Sequence, residues 1–317
     1  MTLIRDPQFQ ILMAILLAVL VVSSLVGFAL SRRVTAGKGK EVVANLNARI
    51  KAWWLMVAVF CVAVTIGPLG SVILFALVSF FALREYFAIS ATLHADHRVL
   101  LWLVFVILPA NYVLVALKWY GLFAVFIPVY AFIGLQTRAA LSGVTEDFLS
   151  RTARIQWGMM VAIYFVSYIP ALLMLDLPQG SGTGENFKLM FFLVVVVQAS
   201  DVLQYVVGKL FGRTPIAPNV SPNKTLEGFL GGVLLATALG AALSPATPFN
   251  PWQAAVMALL ICLMGFVGGL AMSATKRDRG VKDFGAMLPG HGGMLDRIDS
   301  LCFAAPIFFH LTRYFFT

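Results

Sequence analysis

The feature that most constrains this chain is a series of long apolar stretches separated by short polar ones. A helix needs about 20 apolar residues to cross the hydrocarbon core of a bilayer. The sequence offers ten candidate spans, near residues 9–30, 53–68, 71–89, 99–117, 119–137, 157–175, 187–207, 227–244, 252–274 and 301–315. Gly67, Pro68 and Gly70 mark a tight turn between the second and third. The stretches are continuous, not alternating as in the strands of an outer-membrane barrel. Composition agrees: 60% of the 317 residues are hydrophobic and only 12% are charged, about half the charged share of a soluble domain. Too few polar residues remain to clothe a water-soluble fold. Three cysteines are too few for a disulfide scaffold, and the apolar content excludes a disordered chain. The expected fold is an all-α integral membrane protein, a polytopic bundle of about ten transmembrane helices.

The formal net charge is +9. Most of the 23 Lys and Arg fall in five segments, Arg32 to Lys51, Arg84 to Arg98, Arg138 to Arg154, Lys209 to Lys224 and Lys276 to Arg297. Counting ten spans puts all five on one side and the strays Arg5, Lys118, Lys188 and Arg313 on the other. The positive-inside rule then places the basic segments in the cytoplasm and both termini outside it. The excess charge reads as topology, with no nucleic-acid partner. The first span is too long for a typical signal-peptide core and has no clear cleavage site, so it is read as an uncleaved helix. Cys61, Cys262 and Cys302 lie in apolar spans and read as packing residues.

Two of the basic segments carry more than charge. In 200–232, Asp201 lies toward the cytoplasmic end of an otherwise apolar helix. A carboxylate at mid-membrane costs about 2.5–3.5 kcal/mol on insertion scales, less near the interface. A cation, a Lys or Arg, or a wet cavity would offset that cost; the alternative is an acid already at the solvated interface. Ser221-Pro222-Asn223-Lys224-Thr225 has the look of a helix start, with Ser221 as N-cap and Pro222 at the first position. Its free N–H groups, with Lys224 and Thr225, would form a phosphate cradle. Gly228, Gly231 and Gly232 would allow close helix packing.

In 273–299, basic residues alternate with Asp278, Asp283, Asp296 and Asp299. Gly290 to Gly293 let the backbone approach a ligand closely, and His291 is a candidate acid–base or phosphate-contacting group. Asp296 and Asp299, three apart, share one face if the last helix has begun by then. Carboxylates beside lysines and a glycine turn suit a hard cation carrying a polyphosphate. In the second basic segment, His94, Asp96 and His97 form a small cluster that reads first as solvated loop, a ligand pair without further ligands being a weak metal site.

The stretch from Ser273 to Asp299 resembles the signature of the CTP:phosphatidate cytidylyltransferases, the CDP-diacylglycerol synthases. The resemblance is carried by Ser273, Lys276, Arg277, Lys282, Asp283, Pro289, Gly290, His291, Gly292, Gly293, Asp296, Arg297 and Asp299. Upstream, Gly208-Lys209, Phe211-Gly212, Pro218 and the run from Ser221 to Gly232 resemble the family too. The resemblance implies that CTP condenses with phosphatidic acid or a related lipid to give CDP-diacylglycerol and pyrophosphate. The bacterial inner membrane is the implied location, with the active site facing the cytoplasm and a homodimer as the assembly. Residues 1–175 would be a transmembrane region and 176–317 the cytidylyltransferase-like region with its loops. It implies Mg2+, with a second cation left open, held by Asp296 with Asp299 and Asp201. It implies phosphate contacts from Ser221, Lys224, Thr225, Lys276, Arg277, Lys282, Arg297, Gly292 and Gly293, and catalytic roles among Asp283, His291, Asp296, Asp299 and Asp201.

Two departures stand out. Typical members have Gly-Asp-Leu-x-Glu-Ser before the Lys-Arg pair, its Asp being assigned to the metal site. Here Gly269 and Met272 replace that Asp and the Glu. The usual Ala-Asp-x-Gly-Ala-Tyr reads Ser200 to Tyr205, with Leu203-Gln204 for Gly-Ala. Three readings stay open: a metal site completed by Asp201, Asp283 or Asp299, a paralogue with a shifted substrate, or a binding partner without catalysis. A CTP-dependent polyprenol-type kinase and a lipid transporter are the competing functional classes.

Overall fold

The computed structural model describes residues 7–34, 37–90, 92–177, 183–287, 290 and 292–317. Ten helical rods account for most of them: α1 Pro7–Arg33, α2 Lys38–Ile66, α3 Pro68–Ile89, α4 His94–Ala116, α5 Tyr120–Ala140, α6 Phe148–Met174, α7 Thr183–Phe211, α8 Leu226–Ala242, α9 Pro251–Asp278 and α10 Leu295–Phe316. Each expected span finds its rod, so the protein is an all-α polytopic membrane protein. Among the described residues, eight of the rods are long and apolar enough to cross a membrane. The other two are α8, with 17 residues, and α10, whose Asp296, Arg297, Asp299, His310 and Arg313 dilute its apolar character.

Several rods run beyond their apolar stretches into the charged segments. The segment from Arg32 to Lys51, expected as a loop, is largely the start of α2, with Glu41 in its first turn. Nothing after Gly39 in that segment breaks a helix, and an acid near the N-terminus favours one. Within α4 and α5 the helix widens into π-helical stretches, Leu103–Ile107 and Phe126–Ala131. Pro109 follows the first and Pro128 lies inside the second. A proline has no N–H for the carbonyl four residues back, and a wider turn re-pairs the freed groups.

The rods bury one continuous core whose largest members include Phe123, Met159, Tyr168, Phe192, Phe308 and Phe309. Helix α6 runs through its middle: 78% of its most apolar window is buried, against 11% for α1. The long sides of α1 and α2 are therefore left apolar and outward-facing, as lipid contact requires. The two are pinned together by Trp54 Nε1 donating to Ser24 Oγ at 3.0 Å. Helices α7 and α8 approach through glycines, as expected. A Cβ on Gly228 would lie 2.8 Å from Gly208 Cα, and one on Gly232 would lie 2.5 Å from Gln204 Cα.

The expected helix start at Ser221 is not what forms. Ser221–Thr225 is a strand, β2, paired antiparallel with β1, Pro215–Ala217, with Pro215 opposite Thr225 and Ala217 opposite Ser221. Proline at 222 holds Ser221 extended, and the cap passes to Thr225. Its backbone is extended and its Oγ1 accepts from Gly228 N at 3.2 Å. Glu227, in the first turn of α8, holds the hairpin's entry by accepting from Arg213 N at 2.9 Å and Thr214 N at 3.1 Å.

Candidate active site

The site forms where the C-terminal end of α9, the N-terminal end of α10 and the end of α7 meet the hairpin. The signature loop crosses from α9 to α10. Gly290 and Gly292 adopt positive φ, 75° and 77°, which glycine tolerates without strain. At Gly292 there is a second reason: a Cβ there would lie 3.0 Å from Asp296 Oδ2.

Asp296 organises this loop. Its Oδ1 accepts from Lys276 Nζ at 2.9 Å, and its Oδ2 accepts from Phe284 N at 2.8 Å and Gly293 N at 2.9 Å. One buried carboxylate thus ties the end of α9 to both ends of the loop. The Lys276 ammonium also faces the Phe284 ring, 5.3 Å from its centroid. Arg277 joins the two loops: its Nε donates to Val220 O at 3.2 Å and its Nη1 to Val281 O at 3.0 Å.

A set of mixed charge continues from Asp296. Lys276 bonds Asp296 and is also the first of Asp299's charged neighbours, followed by Lys224 and Arg297. Asp201 has Asp299, Lys224 and Arg297 around it. Ser300 stitches the far end, its Oγ donating to Asp201 Oδ1 at 3.2 Å and its N to Asp299 Oδ1 at 2.8 Å. Asp296, Lys276, Asp299, Lys224, Asp201 and Arg297 thus form one set of mixed charge, in which Lys276 and Asp296 are the close ion pair. Acids set in a low-dielectric boundary need such positive charge nearby. Arg297 Nε is buried without a hydrogen-bond partner. Lys224, half-buried in β2 and 4.8 Å from the Phe266 centroid, makes no close ion pair among the described residues. Burial pushes its pKa down, and Asp201 and Asp299 push it back up.

The structure therefore brings together Asp201, Lys224, Lys276, Asp296, Arg297 and Asp299. Lys282 and Asp283 are exposed on the loop, with Asp283 Cβ and Cγ 3.4 Å from where a Cβ on Gly292 would stand. Ser221 and Thr225 serve the hairpin and the α8 cap, so the cradle of N–H groups expected at Ser221 does not form there. His291, like Pro289, lies outside the described residues.

The donor set for a resident metal is thinner than the resemblance implies. Asp296 has both oxygens engaged by Lys276 and backbone N–H groups. No group of three or more His, Cys, Asp or Glu among the described residues gathers as a metal would require. At Gly269 a Cβ would lie 2.8 Å from Lys224 Nζ and 3.3 Å from Ser300 Oγ. The place from which a carboxylate would reach the site is faced by an ammonium.

Two contributors from the N-terminal half, Glu85 and Arg49, had no motif to announce them. Glu85, buried near the end of α3, accepts from Met294 N and Leu295 N, both at 2.9 Å. It caps α10 from another helix, and Gly285 and Gly293 leave the space its side chain fills. An acid in an apolar span is the signal that singled out Asp201, and it applied equally to Glu85. Arg49 of α2 donates from Nε to Gly290 O at 3.0 Å. Asp96, from the histidine cluster, is buried, accepts from Leu93 N at 2.9 Å and pairs with buried Arg151 at 3.1 Å. It is a structural lock between the second and third basic segments.

Comparison with known proteins identifies the family of the chain. The model of the cytidylyltransferase family matches residues 47–315. The chain is 40% identical over 305 residues to the Escherichia coli protein named uncharacterized protein YnbB, covering 95% of this chain and 97% of that one. It is 35% identical over 174 residues to the phosphatidate cytidylyltransferase of Mycobacterium leprae, 52% of this chain and 51% of that protein. With the enzyme of that name from Helicobacter pylori it is 47% identical over 127 residues, 40% of this chain and 47% of that one. The chain thus spans about half the length of the phosphatidate cytidylyltransferases it matches. The family match begins in α2, which carries Arg49, and ends in α10, so it takes in both the signature loop and the helices that hold it: the chain belongs to the cytidylyltransferase family.

Proposed function

We propose that the chain condenses CTP with phosphatidic acid or a related phospholipid, at the cytoplasmic face of a bacterial inner membrane, with both chain termini on the far side. A phosphate oxygen of the lipid attacks the α-phosphorus of CTP, the bond from that phosphorus to the bridging oxygen breaks, and pyrophosphate leaves. CDP-diacylglycerol is the lipid product. The observation that carries this reading is the mixed-charge set of Asp296, Lys276, Asp299, Lys224, Asp201 and Arg297 at the junction of two membrane helices and a glycine loop.

Two anions must meet in this reaction, and fixed positive charge lowers the cost of bringing them together. Lys224, Arg297 with its unpaired Nε, and exposed Lys282 are placed to receive phosphate oxygens. Lys276 and Asp296 hold the loop in shape. The lipid phosphate is already ionised at neutral pH, so no residue is needed as a general base. The divalent cation of the reaction is Mg2+, brought by the nucleotide. Residues 176–317 carry the chemistry and residues 1–175 scaffold it, and the unit in the membrane is a homodimer.

The test is direct. Purified protein in micelles or liposomes is given radiolabelled CTP, phosphatidic acid and Mg2+, and the lipid and nucleotide products are separated. Labelled CDP-diacylglycerol with pyrophosphate is expected. Formation of CDP with a phosphorylated lipid would instead assign a kinase. No conversion, beside a working phosphatidate cytidylyltransferase control, removes the substrate assignment.

A further inference from the structure

We propose that the Lys224 ammonium is a built-in cation between Asp201 and Asp299, standing in the hollow left by Gly269, so that this chain holds no resident divalent cation there. The inference deepens the proposed function, on which it rests for the identity of the nucleotide.

The geometry centres on Ser300. Its Oγ reaches Asp201 at 3.2 Å, and its N reaches Asp299 at 2.8 Å. The same Oγ is 3.3 Å from where a side chain on Gly269 would begin, and Lys224 Nζ is 2.8 Å from that point. Four residues from α7, β2, α9 and α10 therefore approach one spot, and the one charged group among the described residues within 4 Å of it is the Lys224 amine. Asp201 and Asp299 are half-buried, and carboxylates withdrawn from water require a counter-charge. A metal would supply it only by displacing the ammonium, which faces the Phe266 ring at 4.8 Å to the centroid. The ring's negative face favours a cation there. Asp296 already has three of its acceptor positions taken, by Lys276 on Oδ1 and by Phe284 N and Gly293 N on Oδ2. With two carboxylates, Lys224 and Arg297, the site is electrostatically near balance. A divalent ion needs more negative charge or the phosphates of a nucleotide to stay.

Two substitutions shift that balance. Gly269→Asp adds a third carboxylate, and the Lys224 side chain, met only at its flexible end, can move aside. Lys224→Gln removes the competing charge without touching either acid. Mn2+ binding to the protein in micelles, read by electron paramagnetic resonance without nucleotide, is the assay. It does not depend on turnover, so it stands apart from any failure of the proposed activity. Wild type is expected to bind no Mn2+ that Asp201→Asn removes. Gly269→Asp and Lys224→Gln are each expected to bind at least tenfold tighter than wild type, the gain being lost when Asp201→Asn is added. If Gly269→Asp fails to fold, Lys224→Gln decides alone. Tight Mn2+ binding by wild type that is lost in Asp201→Asn overturns the proposal, and so does the absence of any gain in a folded Lys224→Gln protein.

Discussion

Glu85 gives the sharpest forecast, because it acts on a loop more than two hundred residues away. Its two oxygens take the N–H groups of Met294 and Leu295 at the start of α10. Alanine at this position leaves both without an acceptor. A hydrogen bond to a charged group contributes about 1.5–3 kcal/mol. Taking the lower figure for each, because Met294 is only half-buried, the loss is about 3 kcal/mol. Glu85→Gln is intermediate: its single carbonyl oxygen can serve one N–H, while its NH2 group faces the other. Stability is read from equilibrium unfolding in mixed micelles, and loop position from turnover. Glu85 is a positioning residue, so kcat should fall by at least tenfold in Glu85→Ala while KM for CTP changes less. Limited proteolysis should then cut between α9 and α10. An unfolding midpoint and kcat both equal to wild type in Glu85→Ala would refute the reasoning that the N-terminal half sets the loop.

The other expectations are briefer. Asp96→Asn strands buried Arg151 and should cost about 3–5 kcal/mol in micelle unfolding, while Asp96→Asn with Arg151→Met should recover part of it. Gly292→Ala forces an L-residue to φ 77° beside Asp296 Oδ2, a backbone cost of about 1–2 kcal/mol, and should lower turnover more than Gly290→Ala, whose nearest neighbours are side-chain atoms on α2. Because burial lowers the pKa of Lys224, its ammonium deprotonates at a lower pH than an ordinary lysine. CTP affinity by calorimetry should fall through that alkaline window, and Lys224→Arg should abolish the fall, since a guanidinium stays charged. Stability should move the other way, rising with pH between the depressed folded value and the ordinary lysine value, because the unfolded chain there holds the proton that the folded one has lost. A flat CTP-affinity profile across that window would remove Lys224 from the phosphate set.

What the sequence made legible was whatever its own neighbours in the chain decide. The ten rods came from runs of apolar residues, and the signature loop from glycines and acids packed into 27 positions. Ser221 to Thr225 was misjudged because serine before proline satisfies two rules at once. It fits a helix N-cap, and it also fits an extended residue locked by the following ring. The pairing of Pro215 with Thr225 settles it as strand, and that pairing depends on Glu227 holding the hairpin's entry, which no local pattern announces. The carboxylates of Asp201 and Asp299 were legible as costly groups, but their shared partner Ser300 was not, since a serine inside a helix carries no signal of its own.

Glu85 and Gly269 show the same limit from opposite sides. Glu85 lies near the end of an apolar span, beside Arg84, and its meaning comes from two N–H groups that approach only after α3 and α10 pack. Gly269 reads in the sequence as a loss, a carboxylate replaced by nothing. In three dimensions the Lys224 ammonium stands at that position, because a hollow beside two half-buried acids is a favourable place for the nearest flexible cation. A missing charge in a site of mixed sign is therefore not a neutral change. In the proposal above it alters which of the remaining groups is the counter-ion, and Mn2+ binding by Lys224→Gln is the measurement that decides it.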